Sequence, residues 1–177
     1  MRATFANTLS SGRHHLDADR ALRYIDRRSY AVIASTSEAG RSHSAGVLYA
    51  RSGPQLYFST TRSTRKARNI AANPHVGVTI PVRRVPVGPP SAIMFQARAE
   101  LVAPDDPALL ERVATGDLKA ITGHGELELP DGVFVRITLP RRLHTYGLGM
   151  SLLSLIRDPL NASGAVDLSG SFHEIRA

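Results

Sequence analysis

The chain contains no cysteine and no tryptophan. Without cysteine there is no disulfide framework, no thiolate metal site and no cysteine nucleophile, and a reducing compartment suits it. No stretch reaches the roughly 18 apolar residues that a membrane-spanning helix needs. The N-terminal MRATFANTLSSGRHHLD has no apolar run of signal-peptide length. The expectation is a cytoplasmic protein with no membrane contact. Acidic residues are missing from Ala39 to Ala99, where nine basic ones occur: Arg41, Arg51, Arg62, Arg65, Lys66, Arg68, Arg83, Arg84 and Arg98. The net charge of +7 is therefore concentrated in the first half of the chain. A one-signed stretch suits an anionic partner better than it serves solubility, which mixed charge provides. That partner is a phosphorylated cofactor, a nucleic acid or an acidic substrate; a solvated basic face is the plainer alternative.

What is present suffices for one domain. The chain has 177 residues, 42% of them hydrophobic, enough for a packed core. Residues 1–16 are polar and irregular and read as an N-terminal arm, 17–160 as the domain, and 161–177 as a tail without a strong signal. Asp17 can cap a helix that runs to about Arg28, with Leu22 and Ile25 facing inward. Six strands follow from β-branched runs and turn residues: 30–36, 42–50, 55–60, 75–80, 93–102 and 133–139. Three helices separate or follow them. The first is 63–72, capped by Ser63 or Thr64 and stopped at Asn73-Pro74; the second opens at Asp105-Asp106-Pro107; the third is a short apolar one from Leu148 to Arg157. Short strands with a few helices indicate a mainly β fold, a small antiparallel barrel with peripheral helices.

The most informative segment is Phe58-Ser-Thr-Thr-Arg-Ser-Thr-Arg-Lys-Ala67. A strand ends in hydroxyl residues, and a helix begins with Arg65 and Lys66 in its first turn. A helix N-terminus already carries roughly half a positive charge, so cations there are misplaced by about 0.3–1 kcal/mol each. A bound phosphate reverses the sign, because backbone N–H groups, hydroxyls, a guanidinium and an ammonium converge on it. A nucleic-acid patch fits less well. The basic residues are mostly arginines in turns, and no aromatic-basic interleaving accompanies them.

Residues 31–80, VIASTSEAGRSHSAGVLYARSGPQLYFSTTRSTRKARNIAANPHVGVTI at their core, resemble the pyridoxamine 5'-phosphate oxidase-like, FMN-binding split-barrel superfamily. IMFQARAEL at 93–101 and VFVRITLPRRLHTYG at 133–147 are similar to its later strands. The resemblance implies a six-stranded antiparallel split β-barrel and a homodimer with its cofactor sites at the subunit interface. It implies an oxidoreductase that transfers hydride between FMN, or the deazaflavin coenzyme, and a small substrate. By the same resemblance, Arg65, Lys66 and Thr64 would hold the cofactor phosphate. Ser59 and Thr60 would contact the phosphate or ribityl chain, and Ser44, Ala45, Gly46 and Val47 would lie along the ring. Arg142-Leu143-His144 matches the family's substrate-phosphate motif. The family's next arginine, however, falls at Tyr146, its second-strand lysine at about Tyr49, and its fifth-strand glutamine near Ser91 or Ala92. Its tryptophan has no counterpart. These departures count against vitamin B6 oxidation and leave Tyr49, Arg142, His144 and Tyr146 as weak substrate-pocket candidates. A non-enzymatic flavin- or haem-binding protein is the alternative reading.

The histidines show no metal-ligand spacing, and His14-His15 lack a third ligand nearby, so no metal site is expected. Haem would need one axial histidine. By its position in the resemblance, His144 is the best candidate for a functional histidine, and a histidine packed at the barrel rim is the plainer alternative. There is no Gly-x-Gly-x-x-Gly fingerprint and no nucleophile elbow. No side chain stands out as a catalytic acid or base.

Overall fold

The computed structural model describes residues 16–85 and 88–172. In chain order the elements are α1 (Ala18–Asp26), β1 (Tyr30–Thr36), β2 (Ser42–Leu48), β3 (Ala50–Ser52), β4 (Gln55–Thr61), α2 (Arg65–Ala72), β5 (His75–Val82), β6 (Ser91–Val102), α3 (Pro107–Ala114), β7 (Gly132–Thr138), β8 (Arg142–Tyr146), α4 (Leu152–Arg157) and β9 (Ser163–Asp167). Side chains cap the helices. Asp17 accepts from the Arg20 amide at 2.7 Å and Thr64 from the Ala67 amide at 3.4 Å. Asp106 accepts from Leu109 at 2.9 Å, with Pro107 in the first turn, and Ser151 accepts from Ser154 at 3.0 Å. Each satisfies an amide that has no partner within its helix. Among the described residues no helix is long and apolar enough to cross a membrane.

Every strand pairing is antiparallel. The order is β2-β1-β5-β6-β7-β4-β3, with β8 on the free edge of β6 and β9 on β8. The fold is thus mainly β with peripheral helices, a curled antiparallel sheet of split-barrel type. The six expected strands are β1, β2, β4, β5, β6 and β7. The structure adds β3, β8 and β9, so the sheet has nine strands rather than six. β9 lies in the segment read as a featureless tail: five residues, SGAVD, form a strand because β8 offers them a ladder. The third helix starts only at Leu152, because Gly147 and Gly149 take positive φ values of 68° and 83° that end a helix rather than begin one. The arm expected over 1–16 and the His14-His15 pair fall outside the described residues, except Leu16, which packs in the core. His173 also lies outside them.

The two end strands of the order, β2 and β3, are consecutive in the chain and joined by Tyr49 alone. The sheet therefore closes on itself through the covalent chain, without a closing ladder. The β3–β4 ladder ends at Ala50↔Tyr57. Counting that register onward puts Thr61 level with Gly46, where β4 and β2 stay neighbours without pairing. This seam is the split in the barrel. Tyr49 is fully buried there; its hydroxyl donates to the Ile25 carbonyl at 2.6 Å and its amide to Ser29 at 2.8 Å.

The main core fills the inside of the curl with Ile25, Ile33, Leu56, Phe58, Ile80, Ile93 and their neighbours. A second core of Tyr57, Phe134, Leu109, Leu118 and Ile121 lies on the opposite face of β4 and β7, under α3. That half of the sheet is covered on both faces. The half made by β2, β1, β5 and the start of β6 is, among the described residues, covered on the inside only: its outward residues Ser44, Gly46, Ala34 and Gln96 are exposed, as is His144 on the neighbouring β8.

Tyr49→Phe removes the hydroxyl's bond and leaves the Ile25 carbonyl without its donor. Urea denaturation should show a loss of about 1–3 kcal/mol. Burial, reinforced by the Asp26 charge, pushes the Tyr49 phenol well above its ordinary range. Its neutral form is favoured only in the folded chain, so its stabilisation is complete below about pH 10 and declines as the unfolded chain ionises above that. Denaturation measured from pH 8 upward should show stability falling past pH 10, less steeply in Tyr49→Phe.

Candidate functional site

α2 starts three residues beyond β4 and packs against β1, β2 and β6. Its inner face carries Ala67, Asn69 and Ile70, all buried, and Asn69 donates to the Ser35 hydroxyl at 3.1 Å. This fixes the helix at the seam, with its N-terminus beside the end of β4. The connection is itself braced. Thr64 donates its hydroxyl proton to the Thr61 carbonyl at 2.8 Å, and its oxygen lies 3.2 Å from that of Thr60. The Ser63 amide donates to the Asp131 carboxylate at 3.0 Å and the Arg62 amide to the Asp131 carbonyl at 3.0 Å. Those two donors are taken. The amides of Arg65 and Lys66 have no partner among the described residues, and the first turn holds no acid. Arg65 is exposed and Lys66 half-buried; neither forms a salt bridge among the described residues. Free amides and cations gathered at one helix start are the groups that a bound anion would satisfy.

The strand alternation sorts the other expected residues. In β2, Ser44 and Gly46 point outward, whereas Val47 is buried and Ala45 half-buried toward the inside. In β4, Thr60 turns to the core side and Ser59 to the other face. Register then assembles an outward row that sequence reasoning missed: Ser44 opposite Ala34, Ala34 opposite Gly77, and Gly77 opposite Gln96. Apart from Gln96, the residues of this row carry small side chains or none. The next row, Gly46, Val32, Thr79, Met94 and His144, is bulkier. Over Gly46 lies the Tyr30 ring, its hydroxyl 2.5 Å from where a Cβ would stand. A ring can approach Gly46 only if Tyr30, 48% exposed, swings away. No local signal marks Ala34 or Gly77, because their grouping depends on the pairing of β1 with β5.

The weak substrate candidates are not brought together. Tyr49 sits in the core at the chain's bend, turned away from any opening. Arg142 and His144 are exposed on β8, and His144 is paired across from Met94. Tyr146 packs against Met150, Leu155 and Ala162 beside α4. β8 is four strand positions from β2 in the sheet order. The basic stretch is likewise dispersed. Arg51 is held by Asp26 at 2.5 and 2.9 Å, Arg41 and Arg68 line an open cavity of about 380 Å³ with Glu38, and Arg83 and Arg84 follow the far end of β5.

Solved structures share this architecture. The haem storage protein HutZ from Vibrio cholerae superposes with a TM-score of 0.63 at 18% identity, covering 75% of this chain and 96% of that one. A haem-binding protein from Mycobacterium smegmatis gives 0.63 at 14% identity, over 81% of this chain and 55% of that one. An FAD-binding protein from Mesorhizobium loti gives 0.59 at 18% identity, over 73% and 92%. At these identities the likeness is one of fold. No curated protein matches the chain. The family model described as pyridoxamine 5'-phosphate oxidase matches residues 18–143, from α1 into β8 and through the α2 seat, and the chain belongs to that family.

Proposed function

We propose that the chain binds FMN, or the deazaflavin coenzyme, with its phosphate at the first turn of α2, and works as a homodimeric, cytoplasmic oxidoreductase on a small substrate. The observation that carries this reading is the first turn itself: two cations, two free amides and no acid. Such an arrangement is unfavourable alone and favourable around a phosphoryl group. Arg65 supplies a guanidinium fork, Lys66 a point charge, and the Thr64 hydroxyl keeps the helix start in place. The Ser44–Ala34–Gly77–Gln96 strip fits the flat ring, and the bare outer face of this half-sheet is where a second copy would cover it. The bound ring supplies the hydride chemistry. The chain's residues hold and orient it, and a partner laid on the outer face excludes water. In such a dimer the exposed His144 and Arg142 would come from the partner's face.

A second reading has one observation of its own. His144 is exposed on the outer face, and its imidazole is in no salt bridge among the described residues, as an axial haem ligand requires. Absorbance spectroscopy of the purified protein decides between the two: flavin bands support the first reading, and a Soret band lost in His144→Ala supports the second. For the flavin reading, Arg65→Ala with Lys66→Ala should weaken binding by about 3 kcal/mol, roughly a hundredfold. This is followed by fluorescence titration with FMN and with the deazaflavin. Unchanged affinity for both in the double variant would overturn the placement.

A further inference from the structure

Of the seven large apolar side chains exposed among the described residues, five belong to the outer face of the half-sheet and to α4. Register builds the first part. Leu48 lies opposite Tyr30, Pro81 opposite Ala92, and Ala92 opposite Tyr146. Carrying Val32↔Thr79 two residues outward puts Tyr30 level with Pro81 and joins these pairs into one row. It runs beside the row of Gly46, Val32, Thr79, Met94 and His144. The two rows hold no aspartate, glutamate, lysine or arginine, although such residues make 21% of the chain. α4 supplies the second part. Leu143 of β8 points into the main core, so Tyr146 points outward, and Leu155, Met150 and Ala162 pack against its ring. The helix therefore stands on the outer face at the β8 end of the row. Its far side is bare: Leu153 is 66% exposed, Ile156 63% and Leu160, in the turn after the helix, 92%. Such a cluster, unlike a single exposed leucine, marks a contact. α4 also lies past residue 143, where the family match ends.

Resting on the homodimer proposed above, we propose that α4 is a clasp between two copies of this chain: its Leu153–Ile156–Leu160 side packs on Leu48 and Tyr30 of the other copy, and the reverse. Charge selects the occupant. An anionic lipid surface or a nucleic acid would need cations where these rows have none. Two copies at +7 repel each other, and they meet best on a face that brings none of that charge. Symmetry selects the pairing, because in an isologous contact each copy receives what it gives. A two-fold axis along the strands sets the β8 end of one face against the β2 end of the other at the same level, so α4 comes over the Leu48–Tyr30 pair. An axis across the strands would instead lay the apolar rows on the polar end of the face, where Ser42 pairs with Thr36 and His75 with Arg98. Shape agrees with the first axis. Two curled sheets touching by their outer faces diverge toward the flanks, and a helix standing on one flank fills that gap. Tyr30 is also the ring that lies over Gly46, so the clasp would border the face given above to the cofactor.

Sedimentation velocity of the full chain, over a range of concentration and salt, tests the contact. A dimer is expected, and it should tighten as salt rises, because screening relieves the repulsion between like-charged copies. Leu153→Ser with Ile156→Ser should raise its dissociation constant roughly tenfold or more. Thermal unfolding checks the fold of that variant; Ile156→Ser alone replaces it if the pair proves unstable and should act in the same direction. The absence of cysteine permits a direct check of the pairing. Leu48→Cys and Ile156→Cys are made in separate chains, mixed and mildly oxidised; the mixture should give a disulfide-linked dimer that neither variant gives alone. A monomeric parent overturns the homodimer and the clasp together. A dimer that the serine changes leave untouched, or a mixture that links no better than the single variants, overturns the clasp and leaves the homodimer standing. A monomer that floats with phosphatidylserine vesicles gives the α4 face to a lipid surface and overturns the clasp as well.

Discussion

The bend at Tyr49 is the constraint on which the structure depends. The sheet's two terminal strands are one continuous stretch of chain, so the barrel is closed by a covalent joint and a packed core in place of a hydrogen-bonded ladder. The joint holds because Tyr49 buries its ring and ties its hydroxyl to α1. The remaining opening between β2 and β4 is what α2 covers, and covering it brings a helix N-terminus to a surface seam. Position and charge then combine: the fold supplies the electropositive backbone, and the sequence adds Arg65 and Lys66 to it.

The unequal covering of the sheet follows from where the helices go. α3 and the turns after it bury the outer face of β4 and β7, with Tyr57 and Phe134 fully enclosed. Among the described residues no helix does this for β1 and β5, and their outward positions hold small or polar residues such as Ala34, Gly77 and Thr79. One half of the sheet is therefore packed on both faces. The other, among the described residues, is packed on one.

Much of this was legible in the residues. Asp17, Thr64 and Asp106 announce their helices because capping is local chemistry, and the six principal strands announce themselves by β-branched runs. β3, β8 and β9 do not: three to five residues with two or three apolar positions carry no period, and they are strands because a neighbour offers an edge. The charge conflict in α2 was readable, being set within one turn. The Ser44–Ala34–Gly77–Gln96 strip was not, since it joins residues more than thirty positions apart through three ladders. Tyr49 illustrates the same limit from the other side. Its place in the pattern suggested a pocket, and only the packing of α1 against β3 shows that its hydroxyl is already engaged.

β6 has a twelve-residue run that meets β5 along one edge and β8, then β7, along the other. Its amides can exchange with solvent only when strands from both halves part together. Opening of the edge strands β2, β3 and β9 needs no such concert. Motions at the seam can thus be frequent while the central spine stays shut, and a protein built this way can breathe around a guest without approaching global unfolding.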